Sequence, residues 1–247
     1  MRAGLFIPCY VDALHPEVGI ATLELLERLG VEVSYPIDQT CCGQPPASNG
    51  DQESAARAER VFVRSFAECD AVVGPSASCV RQIRDHLDAL EQTDDVRRVR
   101  RATFEIVEFL HDVLRVESLP WTEFPHRVGL HNSCSMVRGI GLASPSEVMG
   151  PAFNKAEDLL RKVRGLTLVP IDRVDECCGF GGTFSLTGGA VSARMGLARV
   201  DDHVRHGAEW ITSCDVSCLM HLRGIASRQR RDVKFVHIAQ VLNGGPM

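Results

Sequence analysis

The sequence predicts an α/β fold: two tandem pseudo-symmetric α/β repeats, each a mainly parallel sheet flanked by helices. Three observations carry this. Short apolar runs alternate with helical periods along the chain. A Cys-Cys-Gly triplet occurs twice, as Cys41-Cys42-Gly43 and as Cys177-Cys178-Gly179. The segments around each triplet match one another in order, which marks an internal repeat.

Each half opens on an apolar strand that ends on a cysteine. "AGLFIPCYVDAL" from Ala3 carries Cys9, and "VGLHNSCSMVRG" from Val128 carries Cys134. A helix follows. "PEVGIATLELLERLG", 16–30, has apolar residues at helical spacing and stops at Gly30. Its counterpart, 144–165, reads as a helix opened by an N-cap Ser144, with Pro145 at the first position and Glu147 closing a capping box. Next comes a helix-ending glycine, a strand, a Pro-Ile-Asp turn and the paired cysteines. This pattern is "GVEVSYPIDQTCCG" from Gly30 and "GLTLVPIDRVDECCG" from Gly165. The segments 52–66 and 191–207 have helical spacing and follow each triplet.

A strand, a turn of small residues, a cysteine and a helix start come next. "DAVVGPSASCVRQIR" holds Cys79 and "EWITSCDVSCLMHLR" holds Cys218, each with an arginine five residues on, Arg84 or Arg223. "FEIVEFLHDVL" and "FVHIAQVLNGG" close the two halves. The stretch 115–127 has two prolines and no helical period, so it reads as the linker. The halves are then an N-terminal cysteine-rich repeat, 1–118, and a C-terminal one, 119–247.

Bulk composition narrows the function. The chain has 247 residues, 45% apolar and 24% charged, with a net charge of −5. That is the balance of a globular protein. The most basic run, 96–102, is short and reads as a solvated helix face, so nucleic-acid binding is not expected. No apolar run approaches the roughly 18 residues of a membrane span. The first ten residues are too short for a signal peptide and read as a buried strand. A cytoplasmic location is expected. In a reducing compartment the ten cysteines are expected to be metal or redox ligands rather than disulfides.

Eight of them fall into two matching sets: Cys9, Cys41, Cys42 and Cys79, and Cys134, Cys177, Cys178 and Cys218. Each lies where a strand meets a turn. In a parallel sheet that is the ligand-binding edge. Four thiolates suit a 4Fe–4S cluster or a zinc ion. A cluster presents several irons, so adjacent cysteines can bind neighbouring ones without strain; a single zinc asks both to reach one point. Cys69 and Cys214 have no counterparts; Cys69 reads as core and Cys214 stays open.

A cysteine, then Cys-Cys-Gly, then a CxxC-like segment, in tandem, resembles the CCG cysteine-rich domain family over essentially the whole chain. "CCGFGGTFS" and "CDVSCLMHLRG" are most similar to its lactate-utilisation A group. The resemblance implies a part in oxidising L-lactate to pyruvate. It implies two partners, lactate utilisation proteins B and C, with B carrying ferredoxin-like iron–sulfur motifs. It implies one or two 4Fe–4S clusters, with zinc as the alternative in one or both sites. One departure stands out. The first cysteine of each CxxC is replaced, by Ser76 and by Asp215. Four ligands per half remain, which fits a cubane cluster or zinc better than the noncubane cluster of heterodisulfide reductase subunits.

Beyond the cysteines, His131 and His221 flank the second set and are candidates to move a proton. Arg138 is a candidate to grip the carboxylate of a small 2-hydroxy acid. "GFGG" at 179–182 lacks the spacing of a dinucleotide fingerprint. The expected role is therefore an iron–sulfur electron-transfer or catalytic subunit of an L-lactate-oxidising complex, an oxidoreductase. The alternatives are a zinc-stabilised scaffold, a subunit for another 2-hydroxy acid such as glycolate, or a thiol–disulfide enzyme.

Overall fold

In the computed structural model, which describes residues 2–245, each half builds a four-stranded parallel sheet. The first half runs β1 (Arg2–Leu5), α1 (Cys9–Leu14), α2 (Pro16–Arg28), β2 (Glu32–Ser34), α3 (Gln44–Ser48) and α4 (Gln52–Phe66). It continues through β3 (Ala71–Gly74), α5 (Ala77–His86), α6 (Asp94–Ala102), β4 (Thr103–Glu105) and α7 (Ile106–Glu108), which runs on as a π-helical turn, Phe109–Val113. The second half runs β5 (Arg127–Leu130), a π-helical turn (Ser135–Gly139), α8 (Lys155–Leu160), β6 (Thr167–Leu168) and α9 (Phe184–Thr187). It ends with α10 (Gly189–Arg205), β7 (Trp210–Ser213), α11 (Val216–Arg228), β8 (Lys234–His237) and α12 (Ile238–Asn243). The sheet orders are β2-β1-β3-β4 and β6-β5-β7-β8. The tandem α/β repeat is therefore present.

The register fixes which residues correspond. Gly4 pairs with Val72, and Gly129 with Ile211. Just past the sheet, Phe6 N–H donates to the Val73 carbonyl at 2.9 Å and His131 N–H donates to the Thr212 carbonyl at 2.8 Å. Phe6 and His131 thus occupy one position. Gly74 pairs with Glu105 and Ser213 with His237, so Glu105 and His237 are equivalent too. Each caps the helix that follows: Glu105 accepts from the Val107 N–H and His237 from the Ala239 N–H.

Helix α4 forms because Asp51 caps it, accepting from the Ser54 N–H at 3.0 Å, and because Phe62 and Phe66 recur at i, i+4 on its buried face. Two expectations need correction. Residues 144–153 are not helical; α8 starts at Lys155, with Asn154 accepting from the Ala156 and Glu157 N–H groups. The reason is Pro151, which has no N–H and disfavours a helical Gly150 before it. In addition, the first strand of each half stops four residues before its cysteine, and Cys9 opens a helix instead.

The halves exchange their last helices. α12 packs against α2, and α7 packs against α8. Leu25 and Leu26 of the first half and Val241 and Leu242 of the second lie in one apolar core. Polar contacts edge the seam, with Asn243 donating to Glu24 at 2.7 Å and Lys155 paired with Asp112 at 2.6 Å. The stretch 115–126 is irregular, yet Leu119 and Phe124 are buried in that same core. No helix among the described residues is long and apolar enough to cross a membrane.

Candidate metal centres

All eight matched cysteines gather at the carboxyl ends of the strands. In the first set the Cys9 and Cys41 sulfurs are 3.7 Å apart. Cys79 lies beside Cys42 and helps to push its thiol up. In the second set the Cys178 and Cys218 sulfurs are 3.2 Å apart, and Cys177 neighbours Cys134, whose thiol it helps to push up. Both sets grade from solvent inward: Cys9 and Cys134 are exposed, Cys41 and Cys177 are partly covered, and Cys42 and Cys178 are buried. None of the ten cysteines forms a disulfide.

The glycine after each pair shapes the turn. Gly43 has φ +84° and Gly179 has φ +88°. The turn points backbone donors at sulfur. Gly43 N–H reaches Cys41 Sγ at 3.4 Å, and Gly179 N–H reaches Cys177 Sγ at 3.3 Å. Phe180 N–H adds a third, to Cys178 Sγ at 3.4 Å. Such bonds stabilise a thiolate. Cys41 accepts from Cys42, Cys9 and Gly43 and is held down at about 3, against the opposing effect of burial. Cys9 and Cys42 are pushed up by donating to it and by burial. Converging sulfurs and N–H donors are the donor set that a zinc ion or a cluster takes.

Other residues singled out in the sequence fall differently. His131 is fully buried beside the second set, and one of its ring nitrogens lies within 4.8 Å of both Cys178 and Cys218 sulfurs. Neither ring nitrogen has a hydrogen-bond partner among the described residues. Burial, then the charge of Arg199, hold it well below the usual histidine range. His221 is half-buried, its Nε2 3.3 Å from the Ser192 carbonyl, and burial lowers it as well. Its ring faces Phe180 at 5.9 Å, and Phe180 meets Tyr10 of the other half at 6.4 Å. Arg138 does not present a free fork. It grips Glu147 at 2.7 and 2.6 Å and Asp175 at 2.7 Å, pinning the 144–150 loop against the second Cys-Cys-Gly turn.

Ser76 and Asp215, which replace the missing cysteines, turn to each other. Ser76 donates to Asp215 Oδ1 at 3.0 Å, as does the Ser78 N–H at 2.9 Å, and Ser133 donates to Oδ2 at 2.5 Å. Asp215 is buried, and its carboxylate joins the two halves between their cysteine sets. Arg84 is paired with Glu108 at 2.7 Å, whereas Arg223 is exposed. Cys69 is core, as expected, and Cys214 is buried against Met136 at 3.7 Å.

One group escaped the sequence reading. Arg199 is fully buried and its guanidinium donates to His203 at 3.2 Å, to Asp202 at 3.3 Å and to the Arg173 carbonyl. The charged pair sits behind His131. The signal was present in the repeat: Phe62 and Phe66 on α4 are replaced by Arg199 and His203 on α10.

Comparison with known proteins places the chain among relatives. A family model described as a cysteine-rich domain, CCG, matches residues 3–84 and 128–223. A lactate utilization protein A from an Exiguobacterium strain is 42% identical, over 99% of this chain and 98% of the relative. One from Geobacillus thermodenitrificans is 38% identical over 98% of this chain and 99% of its own length. Among solved structures, a putative Asp/Glu racemase from Yersinia pestis aligns over 98% of this chain and 95% of its own at 11% identity. Its TM-score is 0.39, too low to inform function. The duplicated motif and full-length identity make the chain a member of the CCG cysteine-rich domain family, within its lactate utilization A group.

Proposed function

We propose that the chain is the iron–sulfur subunit of a cytoplasmic lactate-oxidising complex, holding one or two 4Fe–4S clusters in its two cysteine sets. The lactate-utilisation role is supported by relatives of that name along the full chain. The observation that carries the redox reading is the twofold convergence of four thiols on N–H donors at a sheet edge. Turning lactate into pyruvate releases two electrons and two protons. A cluster bound at each set would supply one-electron transfer.

The residues have separable tasks. Cys9, Cys41, Cys42 and Cys79 hold one group, and Cys134, Cys177, Cys178 and Cys218 the other. Asp215 and Ser76 keep the sets in fixed relation across the seam between residues 1–118 and 119–247. Arg138 anchors the loop over the second set rather than a substrate carboxylate. His221, kept neutral by burial, is the candidate to carry a proton. Lactate utilisation proteins B and C are the partners that would deliver and accept electrons.

A zinc reading also has an observation in its favour. Four sulfurs about 2.3 Å from one zinc stand about 3.8 Å apart, and Cys9 and Cys41 are 3.7 Å apart. Anaerobic purification followed by iron, acid-labile sulfide and zinc analysis decides between them. About four irons with equal sulfide per loaded set are expected for a cubane cluster. Zinc without sulfide in both sets would overturn the redox role.

A further inference from the structure

The two cysteine sets are alike in sulfur but not in what stands behind them. At the position shared by Phe6 and His131, the first half places a phenyl ring and the second an imidazole. Phe6 packs edge-on against Phe62 and Phe66, with ring centroids 4.9 and 6.0 Å away. That is ordinary core packing. His131 sits at 0% exposure with both ring nitrogens unpartnered among the described residues. Burying an unsatisfied polar atom is unfavourable, so two such atoms in one ring call for a ligand. Its neighbours leave little choice of direction. Arg199 already donates to His203, and one ring nitrogen of His131 lies within 4.8 Å of the Cys178 and Cys218 sulfurs, themselves 3.2 Å apart. An imidazole nitrogen and two thiolates at mutual distances of this size can meet on one metal ion.

We propose that His131 is a ligand of the second centre, giving an imidazole nitrogen beside Cys178 and Cys218 in place of one of that set's four thiolates. The inference rests on metal binding at the second cysteine set. It makes the two centres chemically unequal: all-sulfur in the first half, sulfur and nitrogen in the second. Imidazole ligation in place of thiolate raises the reduction potential of an iron–sulfur centre. A cluster in the second set would therefore be reduced more readily than one in the first, and electrons would settle in the second half. Arg199, buried behind the histidine, adds a positive charge that acts in the same direction.

The test uses the anaerobically purified chain, labelled with ¹⁵N-histidine, as wild type, His131→Asn and His131→Phe. The phenylalanine variant copies the first half, and the asparagine variant keeps a polar side chain if the first misfolds. For iron, pulsed electron paramagnetic resonance of the reduced protein reads histidine nitrogen coupling. For zinc, X-ray absorption counts nitrogen and sulfur neighbours. The expected result is one histidine nitrogen on the second centre in wild type, absent from either variant. Metal retention at that set should fall about 10-fold or more, and with iron its potential should drop toward that of the first. Metal in the second set with no histidine nitrogen in wild type, or with the coupling unchanged in His131→Asn, overturns the ligand assignment alone. A second set that binds no metal in wild type overturns it together with the reading on which it rests.

Discussion

The first half closes its sheet with Phe6, Phe62 and Phe66; the second closes the same space with His131, Arg199 and His203. The backbone frame is common to both, down to the hydrogen bonds of Phe6 and His131 to the neighbouring strand. The phenyl triad stabilises by burial, about 1.5–3 kcal/mol for each ring. The polar triad must first be desolvated, and Arg199 hydrogen-bonds Asp202, a carbonyl and a histidine. Buried ion pairs are weak evidence for stability. The comparison therefore assigns the apolar triad to folding and sets the polar one beside the proposed metal centre.

The largest effect comes from breaking each triad in turn. Phe62→Ala should lose about 3–5 kcal/mol, since a fully buried ring leaves a cavity. The triple change His131→Phe, Arg199→Phe and His203→Phe should cost less metal-free stability than Phe62→Ala, because Asp202 keeps Arg205 and the Asp172 and Arg173 N–H groups, while metal is lost from the second set. Urea unfolding of the metal-free proteins measures both. A large loss in the triple variant would mean that the polar triad holds the fold.

The next effect is in pH. Glu105 and His237 are equivalent helix caps with opposite chemistry. Burial lowers His237 from 6.5 to about 4. The unfolded chain takes that proton first, so the stability is full above pH 6.5 and is lost as pH falls toward 4, by about 3 kcal/mol. Burial raises Glu105 well above 4.5. Here the folded state keeps the proton, so stability is present below 4.5 and declines as pH rises. His237→Asn, which retains a cap acceptor, should shallow the acid limb of a stability–pH curve, and Glu105→Gln the opposite limb. His131 and His203 are also lowered by burial, so the acid limb should shrink rather than vanish. Superimposable curves for variants and wild type would contradict the assignment.

The smallest effect separates the two turn glycines. Both need a left-handed backbone, which costs a side chain about 1–2 kcal/mol. At Gly43 a Cβ would meet only ordinary contacts, the nearest at 3.5 Å. At Gly179 it would come within 2.7 Å of the Ser192 carbonyl and 2.8 Å of Met195 Cβ. Gly179→Ala should therefore cost about 1–3 kcal/mol more than Gly43→Ala, read as a difference in thermal midpoint. Equal shifts would show that the second turn is free to move.

By itself the sequence determined the repeat, the strand-and-helix alternation and the two sets of four cysteines. These follow from local periodicity and from motif spacing, which a chain carries whether or not it is folded. It also held the mismatch of Phe62 and Phe66 with Arg199 and His203, though a single polar residue on a helix reads as solvent-facing until its neighbours are known. The start of α8 was misread because Ser144, Pro145 and Glu147 imitate a cap while Pro151, six residues on, forbids the helix they announce. Only the tertiary structure decided the rest. The exchange of α7 and α12 between halves depends on contacts between residues some 215 positions apart, such as Arg28 with the Asn243 carbonyl. Asp215 looked like a lost ligand and is a buried bridge, and Arg138 looked free and is paired. His131, a candidate to move a proton, is buried against two thiols. Charge, burial and partnership belong to the space around a side chain, and that space is set by both halves closing on each other.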